Sequence, residues 1–236
     1  MEEKFSYYDF LANIIPGSFM VWALNNITDD LFFGNIVMES LMFIILAYIL
    51  GLVIQHFSKY VVEIIVKIIF WKGTFFSNIF LIRDAKKCSE HDRKKFLNFI
   101  ITHFNFSKKE IKVLDTNNIY KKINRDKLKK AEQISHSIYK AVDTYTYDHN
   151  IAKKAHLHQN YYGLFRGLSL SFLFIGLFFT LLISQLDRFQ TLSFVSYQII
   201  SYMFFIIFLV KTKDRGEKYI RGLFETIKYK KNRVEK

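Results

Sequence analysis

FLANIIPGSFMVWALNNI (residues 10–27) and IVMESLMFIILAYILGLVIQ (residues 36–55) hold one ionisable carboxylate between them, that of Glu39, and no Lys or Arg. The pattern returns in GLSLSFLFIGLFFTLLIS (residues 167–184) and LSFVSYQIISYMFFIIFLV (residues 192–210), where no Asp, Glu, Lys or Arg occurs. Runs of this length match the roughly 20 residues that a helix needs to cross a hydrocarbon core of about 30 Å. None alternates polar with apolar, so the strands of an outer-membrane barrel are excluded. One Pro and nine Gly in 236 residues argue against a turn-rich β protein. The expected fold is an all-α membrane protein with four transmembrane helices in a 2+2 arrangement. Residues 1–58 would form the first pair, 59–162 a basic helical insert, 163–211 the second pair and 212–236 a basic tail.

Charge orients these spans. The chain carries a net +13, and the excess sits in two places. Residues 58–162 contain 21 Lys and Arg against 10 Asp and Glu, and residues 211–236 contain 10 against 4. The loop at 25–35 holds Asp29 and Asp30 and nothing basic, and at 185–191 Asp187 and Arg188 cancel. Lys and Arg near span ends stay on the cytoplasmic side. A multi-pass protein of the bacterial inner membrane is therefore expected, with the insert and both termini cytoplasmic. The opening MEEKFSYYD places acids where a signal peptide carries basic residues, so the first span is expected to stay as a membrane helix. Cys88 is the one cysteine, which excludes an intrachain disulfide and a cysteine zinc cluster. The basic surface has two readings. One is attraction to anionic inner-leaflet lipids, worth about 1 kcal/mol per basic residue near the surface. The other is binding of RNA, DNA or a nucleotide messenger.

Beyond the second span, Gln55, Lys59, Glu63 and Lys67 recur every four residues as a polar stripe on an apolar helix. That segment either bends into the interface, anchored by Trp71, or continues inward and turns its stripe toward a partner. Residues 90–104 read as an amphipathic helix with Phe96, Leu97, Phe99, Ile100 and Ile101 inward. Ser107 followed by Glu110 is a capping box. A long helix is expected from about Arg125 into the third span, with Leu128, Ala131, Ile134, Ile138, Ala141, Val142 and Tyr145 on its apolar side.

Several polar or small residues fall on or beside the spans. Gly163, Gly167 and Ser171, then Gly176 and Thr180, repeat at four-residue spacing, which suits close helix packing within the chain or between copies. Asp9, Asn13 and Gly17 form a line beside Pro16, read either as a hinge or pore constriction or as a structural kink. Asn13 could donate to the carbonyls that Pro16 frees. Ser193, Tyr197 and Ser201 line one face of the fourth span, read either as facing a water-filled lumen or pore in an oligomer or as hydrogen-bonding across the bundle. Arg166 is expected to snorkel to the headgroups, with Tyr161 and Tyr162 as belt aromatics. His149, His156 and His158 cluster near Asp148, and on one helix His149 and His156 would share a face. Their spacing is not that of a ligand set, and a polar juxtamembrane face is the plainer reading. Lys129, Lys130, Lys153 and Lys154 are candidates for binding a signal, a partner or lipid.

No nucleophile elbow, phosphate loop or zinc framework is present, so no enzyme, cofactor or metal is expected. The start FSYYDFLANIIPG and the stretch LVKTKDRGEKYIRGLFETI resemble motifs of small four-span bacterial membrane proteins. That group includes accessories and effectors of antiphage defence, among them membrane partners of CRISPR RNA-guided nucleases. The resemblance implies a homo-oligomeric effector or accessory that perturbs or permeabilises the membrane when its basic region receives a signal. The alternative is an anchor or regulator for a cytoplasmic protein or a nucleic-acid-bound partner.

Overall fold

The computed structural model describes residues 7–27, 41–71, 73–78, 81–82, 90–114, 125–183 and 191–234. Among them the chain forms eight helices: α1 (Tyr7–Ile27), α2 (Leu41–Phe70), the single turn α3 (Phe76–Asn78), α4 (Glu90–His103), α5 (Lys108–Leu114), α6 (Arg125–Asp148), α7 (Lys153–Ile183) and α8 (Thr191–Val234). No strand occurs among the described residues. Glu39, Cys88, Asp29, Asp30, Asp187 and Arg188 lie outside them, as do the side chains of Asp9 and Ser193.

Three helices are long and apolar enough to cross a membrane: Leu41–Phe70, Lys153–Ile183 and Phe194–Ile227. They mark the chain as a membrane protein by length and composition. The expected fourth, the apolar stretch Phe10–Asn25, is shorter. At about 1.5 Å per residue it reaches roughly 24 Å, less than a core of about 30 Å.

The described helices belong to two compact units, and the division between them falls inside α2, near the start of α7 and inside α8. The first unit comprises residues 1–66 and 159–215. Its surface inverts that of a water-soluble bundle. Ile45, Ile49, Leu52, Val53 and Phe57 of α2 are exposed, as are Leu177 and Leu181 of α7 and Ile199, Met203 and Ile206 of α8. Such a surface suits lipid. α7 is central, with 56% of its apolar window buried against 22% for α2 and 11% for the span in α8. Leu168, Phe172, Ile175 and Phe179 of α7 pack with Ala23, Phe194, Phe205 and Phe208. The Phe172 ring lies 5.0 Å from Phe19 and 5.5 Å from Phe208. Offset and tilted ring pairs of this kind add specificity where lipid removes most of the hydrophobic drive.

α1 and α2 touch backbone to backbone. A Cβ on Gly17 would overlap the carbonyl of Ala47, and one on Gly51 would overlap the carbonyl of Asn13. Val21 and Ala47, both fully buried, continue this contact. Gly17, read from the sequence beside a hinge, is thus half of a helix crossing whose other half is Gly51. Gly163 has open space where its side chain would be, so it is not the missing Cβ that brings another helix close there.

The second unit comprises residues 67–158 and 216–236. Gly73, at φ +80°, donates its N–H to Lys67 O at 2.8 Å in the turn after α2. This left-handed glycine closes the helix end. Trp71 is 4% exposed and packs on Phe76, with ring centroids 6.0 Å apart. It is a core residue and not the surface anchor expected. α2 is one helix from Leu41 to Phe70. Phe96, Leu97, Phe99 and Ile100 are buried as expected. The capping box forms: Glu110 N–H donates to Ser107 Oγ at 3.2 Å, and Ser107 N–H donates to Glu110 Oε2 at 2.9 Å. The Ser107 hydroxyl, its backbone N–H and Lys130 hold the exposed Glu110 carboxyl below its ordinary range.

Two elements differ from expectation. The long helix breaks between Asp148 and Lys153, because Asn150 (φ 48°) and Ala152 (φ 62°) turn left-handed. Asn150 and Ile151 bond back to Tyr147 O and Thr146 O at 3.0 Å each, a C-terminal closure that a continuing helix could not make. His149 and His156 therefore share no helix face, and no group of three His, Cys, Asp or Glu that could hold a metal occurs among the described residues. The tail is also not a loose segment. It continues α8, a single helix of 44 residues, and buries Tyr219, Ile220, Leu223, Phe224 and Ile227. Phe224 meets Phe96 edge-on at 4.5 Å, and Gly222 lets Ala155 approach to within 2.9 Å of where its Cβ would lie. The Tyr219 hydroxyl donates to Asp143 Oδ1 at 2.5 Å.

His136 is half-buried, its ring stacked 6.0 Å from Phe75, while the Lys67 ammonium sits 3.5 Å from that same ring. Burial, then Lys140 and Lys67, push the His136 imidazole below its ordinary value of 6.5.

Gly51→Ala, which collides with backbone, should lower stability in detergent by ~2 kcal/mol or more. Gly163→Ala should be neutral or stabilising by up to ~1 kcal/mol through helix propensity; equal effects would contradict the crossing described. The unfolded chain binds a proton at His136 more readily than the folded one does. Stability should therefore fall as pH drops below about 6.5, and His136→Phe should flatten that slope in thermal melts between about pH 7.5 and pH 5.

Candidate functional site

The most developed polar chemistry in the first unit starts at Pro16. A prolyl ring has no N–H, so the carbonyl of Ala12, four residues earlier, loses its helical donor. In hydrocarbon such a group must find another. Gln55 Nε2 donates to Ala12 O at 2.9 Å and to Gly163 O at 3.0 Å. One carboxamide thus ties α1, α2 and α7 together. Gly167 provides the room: a Cβ there would overlap the Gln55 amide nitrogen and lie 3.0 Å from Pro16 Cγ. Ser171, fully buried, donates to Pro16 O at 3.1 Å, with Gly167 O also within reach at 3.2 Å.

The polar seam continues along α2. Ser58, fully buried, donates to Gln55 O at 2.9 Å and accepts from Arg166 Nε at 3.0 Å. The other end of the guanidinium lies 3.7 Å from Glu63 Oε2, and its carbon is 5.4 Å from the Tyr162 ring centroid. Arg166 is 9% exposed. It does not snorkel outward as expected, because Ser58 and Glu63 offer it a hydrogen bond and an opposite charge inside the bundle.

The remaining sequence candidates disperse. Gly176 makes room for the Tyr202 ring, which would lie 2.9 Å from its Cβ. Thr180 donates to Gly176 O at 2.8 Å. Asn13 presents its backbone to Gly51. Ser201, 4% exposed, donates to Tyr197 O of its own helix at 2.8 Å. Tyr197 is half exposed, its ring 5.6 Å from Phe179. Lys129, Lys130, Lys153 and Lys154 are exposed on the second unit. The structure therefore brings Pro16, Gly167, Ser171 and Arg166 into one seam and leaves the other candidates elsewhere. Sequence reasoning missed Gln55, Ser58 and Gly51 as partners. The available signal was Pro16 itself: a proline within an apolar span calls for a donor from a neighbouring helix, a role the sequence reading sought in Asn13.

The seam contains no nucleophile paired with a base. Chemically it is a latch that satisfies backbone carbonyls and one guanidinium while fixing helix register. No family model, no curated protein and no solved structure matches the chain.

Gln55→Leu should destabilise the protein by about 1–2 kcal/mol. In a Pro16→Ala background, where residue 16 regains its N–H, the same substitution should cost less. Thermal unfolding of the four forms gives the coupling, and strictly additive costs would contradict the latch.

Proposed function

We propose that the chain is a non-enzymatic, multi-pass inner-membrane anchor that presents its basic helical unit to an anionic cytoplasmic partner. In this reading α1 is the fourth crossing, both termini are cytoplasmic, and the setting is that of the bacterial defence accessories which the sequence motifs resemble. The observation that carries it is the use to which the first unit's polar groups are put. Gln55, Ser58, Arg166 and Ser171 bond to one another or to backbone carbonyls, and the surface around them is bare Ile, Leu, Met and Phe. That is the construction of a fixed support, in which the polar groups consolidate helix packing. The exposed lysines Lys129, Lys130, Lys153 and Lys154 offer the positive surface that an RNA, a nucleotide or an acidic protein would meet.

A second reading, a membrane-perturbing effector built from several copies, is favoured by one feature. Tyr197 is exposed along the last span, where an oligomer could use it.

Substituting Glu at Lys129, Lys130, Lys153 and Lys154 together separates the two. Affinity capture from native membranes should lose a stoichiometric partner, while the variant stays in the alkali-resistant membrane fraction. Unchanged capture would contradict the anchor reading. Depolarisation of cells on triggered expression of the unsubstituted protein would favour the effector reading.

A further inference from the structure

We propose that α8 carries a contact to a second copy of this chain, centred on Gln198 and meeting the same residue of the other copy. The inference rests on the membrane reading above and goes beyond it in naming the interface. Thr180 Oγ1 donates to Gly176 O at 2.8 Å, accepts from Gln198 Nε2 at 2.7 Å and lies 3.0 Å from Tyr202 Oη. A hydroxyl has one hydrogen and two lone pairs, so Thr180 is saturated by these three contacts. Gln198 is not. Its carbonyl oxygen and its second amide hydrogen have no partner among the described residues, and the side chain is half-buried.

Depth makes this consequential. Gln198 precedes Lys211 by thirteen residues and Thr180 follows Arg166 by fourteen, each a distance on the order of 20 Å along a helix. With Arg166 and Lys211 at the inner edge of a core about 30 Å thick, the cluster lies well inside hydrocarbon. Water does not reach that depth freely, and an amide there requires another polar group. The surrounding surface is apolar, with Leu177, Leu181, Ile199 and Met203 exposed.

The chemistry selects the occupant. Copies of one chain insert with the same orientation, so a two-fold axis between them runs along the membrane normal. A residue beside that axis faces its own counterpart at the same depth. A carboxamide carries a donor and an acceptor and is complementary to itself. Two Gln198 side chains can exchange two hydrogen bonds while each keeps its intrachain bond to Thr180.

The test uses the full chain in native membranes. In a Cys88→Ser background, Val195→Cys, one turn from Gln198 on the same side of α8 and with the carboxamide kept, should form a disulfide-linked dimer on mild oxidation, and Ile45→Cys, exposed on α2, should not. Gln198→Leu should weaken self-association by about tenfold, the scale of two interhelical hydrogen bonds in a bilayer. Gln198→Asn should retain most of it. A Val195→Cys protein that stays monomeric, or crosslinks only to a different protein, overturns the proposal even if Gln198→Leu folds poorly. If the chain is membrane-embedded but monomeric, this proposal alone fails. If it is absent from the alkali-resistant membrane fraction, the membrane reading fails with it.

Discussion

The first unit depends on one carbonyl that its own helix cannot satisfy. Pro16 removes the donor for Ala12 O, and in a buried stretch of an apolar helix the deficit cannot be left to water. Gln55 meets it at 2.9 Å and, with its other hydrogen, takes hold of Gly163 O. Neighbouring features follow from that requirement. Gly167 lacks a side chain where the carboxamide lies, and the Gly17–Gly51 crossing brings α1 and α2 close enough for Gln55 to reach. Ser171 secures the proline's own carbonyl. The small residues of α7 thus receive polar side chains as much as they permit close packing.

The same arrangement accounts for the charged residues at the ends of the apolar runs. Arg166 is the last basic residue before an uncharged run, the usual place for a headgroup contact. Ser58 and Glu63, which continue the α2 row begun by Gln55, draw it inward instead. Latch and ion pair share Ser58, whose hydroxyl donates to Gln55 O and accepts from Arg166. A change at either end is therefore felt at the other through a hydrogen bond of known partners.

Much of the helical plan could be read from the residues because it is local. Uncharged runs mark the membrane helices, a 3.6-residue period marks the buried faces of α4 and α6, and Ser107 with Glu110 marks a helix start. What escaped the reading depends on contacts between distant segments or on left-handed backbone. Asn150 and Ala152 end the helix just past the apolar row that stops at Tyr145, and no local preference of alanine announces φ 62°. Gly51 looks like any glycine in a span until Asn13 is set against it. The buried face of the tail, Tyr219, Ile220, Leu223, Phe224 and Ile227, was present as a helical period and was masked by ten basic residues from 211 onward.

The account turns on a single hydrogen bond between helices, and that bond can be observed directly. Solid-state NMR of the protein in lipid bilayers, with nitrogen-15 at the Gln55 side chain and carbon-13 at the Ala12 carbonyl, measures the dipolar coupling between them. With the nitrogen 2.9 Å from the carbonyl oxygen, a weak but measurable recoupled interaction between the two labels is expected, and its loss in Gln55→Leu. A native protein in which the two labels show no coupling would contradict it.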